Sequence, residues 1–243
     1  MLDFSNAYFT DWNQVDGYNG KYLPHLRQND KLVFITFHLG DSLPQSVLKE
    51  LKLYREEWLN HHKEPYSSEE LGTFNQLFSK KINDYLDANY GACILREREN
   101  AQIVVDTLRY YDGISYNLIS YVVMPNHLHF VVQLLDVLKY DIGKIVKGIK
   151  SYTTKGINLR MKTEGSIWHK DYYDRLIRDP NHLQNTLIYI YKNAKSANTE
   201  YLYYHPDLNF YCDAQECAST SCDAQECAST NCDARECAAP KMK

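Results

Sequence analysis

With 243 residues, 44% hydrophobic and 13% aromatic, the chain can bury the core of one moderate domain with appendages. A formal net charge of −4 excludes the uniformly basic coat of a non-specific nucleic-acid binder. No apolar run approaches the ~18 residues of a membrane span, and the acidic opening MLDFSNAYFTDWNQVDG lacks a signal-peptide pattern, so the chain reads as cytoplasmic with no membrane partner.

Residues 1–30 read as an arm rich in turns and aromatics. KLVFITFHLG, residues 31–40, has the β-branched and aromatic content of a strand. After Pro44 at a helix start, Val47, Leu51, Tyr54 and Trp58 recur at helical spacing. A second helix opens on a capping box, Ser67 with Glu70, and carries an apolar stripe of Leu71, Phe74, Leu77, Phe78, Ile82 and Tyr85. RENAQIVVDTLRYYDG predicts a third, ending at Gly113. Two strands follow, SYNLISYVVM and HLHFVVQLL, joined by a short Pro-Asn turn. Ile142, Ile145, Val146 and Ile149 mark the apolar face of the next helix, with Lys144, Lys147 and Lys150 elsewhere on its surface. DYYDRLIRD predicts a last strand, and a last helix starts with Asp179 as N-cap and Pro180 as its first residue.

Without the extra helices this order is βαββαβ plus a terminal helix. It predicts an α+β sandwich of the ferredoxin-like kind, with a helical insertion at about 44–112 after the first strand. The expected organisation is an arm at 1–30, a domain at 31–200 and an extension at 201–243.

The extension differs from the rest. Cys212, Cys217, Cys222, Cys227, Cys232 and Cys237 recur every five residues within a ten-residue unit, and large apolar side chains are almost absent. Such a segment cannot bury a core and reads as disordered, the product of a repetitive stretch of the gene. The spacing suits zinc poorly, because zinc sites prefer cysteine pairs two to four apart. Only Cys93 falls in the domain, so disulfides do not hold the core.

In YVVMPNHLHF, His127 and His129 are two residues apart in a strand, so they share a face while Leu128 points into the core. Two imidazoles on one face suit a solvated sheet surface, or one divalent metal if a third group completes the site. On the last helix Tyr189 and Asn193 are i and i+4 and share a face one turn apart, whereas Tyr191 turns away. Asn193 offers an oxygen ligand to a hard cation and Tyr189 stands beside it, or Tyr189 is a core aromatic with its hydroxyl at the rim. From Lys139 to Arg178 ten Lys and Arg face four Asp and Glu. A metal, a tyrosine and a basic surface fit one reaction: a polarised phosphodiester attacked by the phenolate, giving a covalent phosphotyrosine. The basic helix and KDYYDRLIR then carry the DNA backbone, with tyrosines or Trp168 stacking unpaired bases.

Here a family resemblance enters. YVVMPNHLHFVV resembles the His-hydrophobic-His motif of single-tyrosine transposases, nearest to the REP-associated tyrosine transposases. LPHLRQNDKLVFITFHLGDSLP, KSYTTKGIN, SIWHKDYYDRLIRD and YIYKNA follow that family's order, and the resemblance covers roughly residues 21–196. It implies a transposase: an endonuclease-transferase on single-stranded or hairpin DNA, with REP-like palindromes as partners and Mg²⁺ or Mn²⁺ as cofactor, working as a monomer or homodimer. On this sequence it implies His127, His129 and Asn193 as metal ligands and Tyr189 as nucleophile of a 5′-phosphotyrosine intermediate. Lys150, Ser151, Trp168, Tyr173, Asp174 and Arg178 match a DNA-binding or site-supporting stretch, beside Lys144 and Lys147. Where the family often has Asn-Pro, this chain has Asn193-Ala194, so the helix is expected to run on. The alternative is a domesticated protein that binds DNA hairpins without cutting.

Overall fold

The computed structural model describes residues 9–11, 16–19, 24–28, 30–63, 66–135, 141–205 and 208. The expected disorder of the cysteine repeats therefore lies outside the described residues, as does most of the N-terminal arm. The chain divides into a unit Phe4–Tyr203 and a second made of Met1–Asp3 with Tyr204–Lys243.

In chain order the strands are β1 (Asp16–Asn19), β2 (Pro24–Arg27), β3 (Leu32–His38), β4 (Tyr116–Val123), β5 (His127–Leu134), β6 (Tyr173–Leu176) and β7 (Leu202–Tyr204). The α-helices are α1 (Gln45–His61), α2 (Ser68–Leu86), α3 (Arg98–Tyr111), α4 (Ile142–Met161) and α5 (Pro180–Ala197). β1 and β2 pair as a small antiparallel ribbon within the segment read as an N-terminal arm. The main sheet runs β6-β3-β5-β4-β7, with β3 antiparallel to β5 and β6 and β4 antiparallel to β5. Numbered by appearance within βαββαβ, its first four strands stand in order 4-1-3-2, the ferredoxin-like arrangement expected. The edge strand β7 was not foreseen. It follows α5 and adds to β4, where Val123 N donates to Tyr201 O.

The helix starts follow local chemistry. Ser67 accepts from Glu70 N at 3.1 Å and donates its own N–H to Glu70 Oε2 at 2.8 Å, completing the capping box of α2. Asp141 accepts from Lys144 N at 3.1 Å and Asp179 from His182 N at 2.8 Å, capping α4 and α5. α5 continues past Ala194 and stops at Asn198, whose left-handed backbone (φ 50°) ends it four residues on. The stripe of α2 differs from expectation: Phe74, Phe78, Ile82 and Leu86 are buried in line, while Leu77 is exposed.

Alternation along β3 and β5 gives the sheet two faces. On one, Val33, Ile35, Phe37, Leu128, Phe130 and Val132 pack with Ala101, Val104 and Leu108 of α3 and Ile145, Ile149 and Ile157 of α4. Gly156 lets α3 and α4 approach, since a Cβ there lies 2.9 Å from Ile103 Cγ2. On the other face stand Phe34, Thr36, His38, His127 and His129. These are buried too, under α2 and α5. The histidines therefore do not lie on a solvated sheet surface.

Candidate active site

The β4–β5 turn delivers Asn126 and then His127 and His129 to the face covered by α2 and α5. Asn126 is wholly buried and donates from Nδ2 to Leu86 O (3.3 Å) and Tyr90 O (3.0 Å), at the end of α2. That leaves its Oδ1 to accept from His127 Nδ1 at 2.6 Å, so the proton of the neutral imidazole sits on Nδ1 and Nε2 carries a lone pair. Thr36, the register partner of His129, bonds His129 Nδ1 at 2.7 Å. The two Nε2 atoms converge to 2.9 Å. Asp87, capping the C-terminus of α2, brings Oδ1 to 3.8 Å from His127 Nε2. From α5 the Tyr189 hydroxyl reaches 3.3 Å from His129 Nε2, with its ring edge-on to the imidazole.

Burial dominates the electrostatics. It holds His127 well below the usual histidine range and His129 at about 3, so both rings stay neutral and keep their lone pairs. It lifts Asp87 to about 6, helped by Asp84 one turn earlier. It raises the Tyr189 hydroxyl well above the ordinary tyrosine value, and the Asp87 carboxylate adds to this.

These groups fit a divalent cation. Adjacent ligands in an octahedral Mg²⁺ site with bonds of about 2.1 Å lie ~3 Å apart, close to the 2.9 Å between the two Nε2 atoms. Ligand atoms of His127, His129 and Asp87 all lie within 4.8 Å of one another. Asn193, one turn beyond Tyr189, is buried, and among the described residues its Nδ2 makes no hydrogen bond of ordinary geometry. Asp87 escaped the sequence reading, although its place just after the last buried residue of α2 is a usable signal. Asn126 escaped as well; the signal was that a buried ligand histidine needs an acceptor for its other nitrogen.

The expected DNA-binding residues divide. Lys144, Lys147, Ser151 and Arg178 are exposed. Trp168 is buried, donates to Thr153 Oγ1 at 2.8 Å and meets Phe37 edge-on, so it is a core residue and no platform for a base. Lys150 is no free cation either. Its amine donates to the carbonyls of His169 (2.9 Å) and Asp171 (2.7 Å), and burial lowers its pKa to about 8. Tyr173 is buried against Phe78 and His38. Asp174 is buried and pairs in register with Ile35, hence on the α3–α4 face. α4 also packs on that face, so Lys144, Lys147 and Ser151 stand across the sheet from the histidines. The amphipathic pattern of α4 shows which residues it buries, but not which side of the sheet it covers.

Residues 100–193 match the family model described as transposase IS200 like. No curated protein matches the chain. Among solved structures, that of a REP-associated tyrosine transposase bound to a REP hairpin is similar at 14% identity and a TM-score of 0.43, over 79% of this chain and 85% of that one. The family match runs from the first turn of α3 to Asn193 and takes in both histidines and Tyr189, so the region holding them is similar to the IS200-like transposases.

Proposed function

We propose that the protein nicks and rejoins single-stranded or hairpin DNA through a covalent 5′-phosphotyrosine on Tyr189, as a transposase. One observation carries this: the Tyr189 hydroxyl sits 3.3 Å from one member of a buried histidine pair whose Nε2 atoms are 2.9 Å apart. The Tyr189 oxygen forms a bond to phosphorus while the P–O3′ bond breaks. The phenol proton leaves to solvent and the departing 3′ oxygen takes up a proton, leaving a free 3′ hydroxyl. Attack by that hydroxyl, or by another, reverses the step and rejoins a strand.

His127, His129, Asp87 and Asn193 would hold Mg²⁺ or Mn²⁺. When bound, the cation polarises the phosphodiester and offsets charge developing on it. The chain's own part is to fix the tautomer of His127 through Asn126, to orient His129 through Thr36, and to hold Tyr189 against that pair under α5. Exposed Lys144, Lys147, Ser151 and Arg178 supply backbone contacts to DNA.

The test is incubation with labelled hairpin DNA from beside the gene and Mn²⁺, read as a covalent adduct on a denaturing gel. Wild type forms the adduct, while Tyr189→Phe forms none and still binds the hairpin. Adduct on the Phe variant, or none on wild type, sinks the proposal.

A further inference from the structure

Arg175 is the one arginine of β6 and stands directly across from Phe34 of β3. Two residues along the same register, Tyr173 stands across from Thr36, whose hydroxyl bonds His129. Arg175 and Thr36 therefore project on the same face of the sheet. The guanidinium carbon lies 5.7 Å from the centre of the Phe34 ring. That ring stacks on His129 at 5.4 Å and meets Tyr189 edge-on at 6.2 Å. Phe34 is thus a platform ringed by the cation, the histidine and the tyrosine.

Arg175 Nε is buried and has no hydrogen-bond partner among the described residues. Among the described residues no carboxylate forms an ion pair with it. A cation over an aromatic ring is stabilised by ~0.5–2 kcal/mol, but that contact leaves the in-plane N–H donors unused. A half-buried guanidinium without a counter-charge is unfavourable unless an anion arrives. The fork of an arginine matches two oxygens of a phosphate.

Resting on the phosphotyrosine reading, we propose that Arg175 is the phosphate-binding arm of this site, donating to the non-bridging oxygens of the phosphodiester that Tyr189 attacks. Burial disfavours the charged guanidinium and the Tyr189 oxygen favours it, so the two groups lie within electrostatic reach of each other. Donors held ready where charge develops stabilise the transition state without reorganising.

Two measurements on the full chain test this. In metal-free protein labelled with ¹⁵N at arginine, inorganic phosphate shifts the Arg175 Nε resonance saturably, in wild type and in Tyr189→Phe alike; the resonance is assigned by its loss in Arg175→Lys. With hairpin DNA and Mn²⁺, Arg175→Gln forms adduct ~10²–10³-fold more slowly at saturating DNA, with hairpin affinity changed only a few-fold, and Arg175→Lys recovers part of the rate. An Arg175 resonance indifferent to phosphate overturns the assignment, and so does an adduct rate in Arg175→Gln equal to wild type. The phosphate titration needs neither Tyr189 nor DNA, so a wild type that forms no adduct sinks the nucleophile alone.

Discussion

Asn126 is the residue on which the geometry of the histidine pair most depends, and Asn126→Ala separates its two roles. The side chain is fully buried and makes three hydrogen bonds, two as donor to Leu86 O and Tyr90 O and one as acceptor from His127 Nδ1. After truncation Leu86 O still accepts from Asn89 N at 2.9 Å, and Tyr90 O retains the weak Cys93 thiol at 3.8 Å. The His127 N–H is left buried with nothing to accept it. An orphaned buried donor costs about 1–3 kcal/mol and each of the two further bonds contributes about 1 kcal/mol, so urea unfolding should show a loss of about 3–5 kcal/mol. Without its acceptor the ring can place its proton on Nε2 instead, and removing such an outer partner weakens metal binding ~10–100-fold. Asn126→Asp keeps the acceptor and loses only the donors. It should lose stability yet bind Mn²⁺ at least as tightly as wild type, as read by electron paramagnetic resonance of the free ion. Wild-type Mn²⁺ affinity in Asn126→Ala would refute the view that His127 acts through an Nε2 fixed by Asn126.

Trp168→Phe breaks the bond to Thr153 inside the core, so it should cost about 1–3 kcal/mol in urea unfolding and leave hairpin affinity within two-fold of wild type in a gel shift; a selective loss of affinity would restore Trp168 as a DNA contact. Lys144→Ala with Lys147→Ala, across the sheet from Tyr189, should flatten the salt dependence of binding by ~0.7–0.9 in slope per lost phosphate contact, with the adduct rate at saturating DNA unchanged. Lys150 titrates at about 8 when folded, below its ordinary value, because of burial. Between about pH 8 and that ordinary value the unfolded chain binds more protons, so wild type gains stability as pH rises, by on the order of 3 kcal/mol at most. Lys150→Met removes that slope, and equal slopes in parallel urea titrations would show that the amine is not held as described.

The fold was legible because each element announces itself locally. The β-branched and aromatic runs LVFITFH and HLHFVVQL, the Ser67–Glu70 capping box and the Asp179–Pro180 helix start all appear where expected. β7 was missed because its strand signal is three residues long and it owes its form to pairing beyond Val123. Tyr189 and His129 were brought together because both lie on regular elements whose faces can be counted. Asp87 and Arg175 were not, since their roles depend on which helix end or strand edge is next to which. Trp168 and Lys150 illustrate the converse. An aromatic and a lysine in a basic stretch look like nucleic-acid contacts, and only burial reveals one bonded to Thr153 and the other to two carbonyls.

On the proposed phosphotyrosine reading, the charge around Tyr189 keeps a buried nucleophile from being a permanently reactive one. Burial raises its hydroxyl above the ordinary value, and the carboxylates of Asp87 and Asp84 oppose its ionisation further. The C-terminus of α2, which Asp87 caps, adds negative character to that side. Left alone, the residue stays a neutral phenol touching a neutral His129. Two features answer this with positive charge. The Nε2 pair with Asp87 is suited to a divalent cation, and Arg175 opposes the shift from across the Phe34 ring. On the proposed reading the acidic residues would act in two directions, disfavouring the phenolate and attracting a divalent cation. A single acidic-to-neutral change separates these roles: Asp84→Asn, which removes the charge farther from the histidines, should lower the Tyr189 pKa while leaving Mn²⁺ affinity within a few-fold of wild type. Read as adduct rate against pH, it should move the limb on which the rate rises with pH to lower pH. An unchanged limb would show that Asp84 does not govern the ionisation of Tyr189.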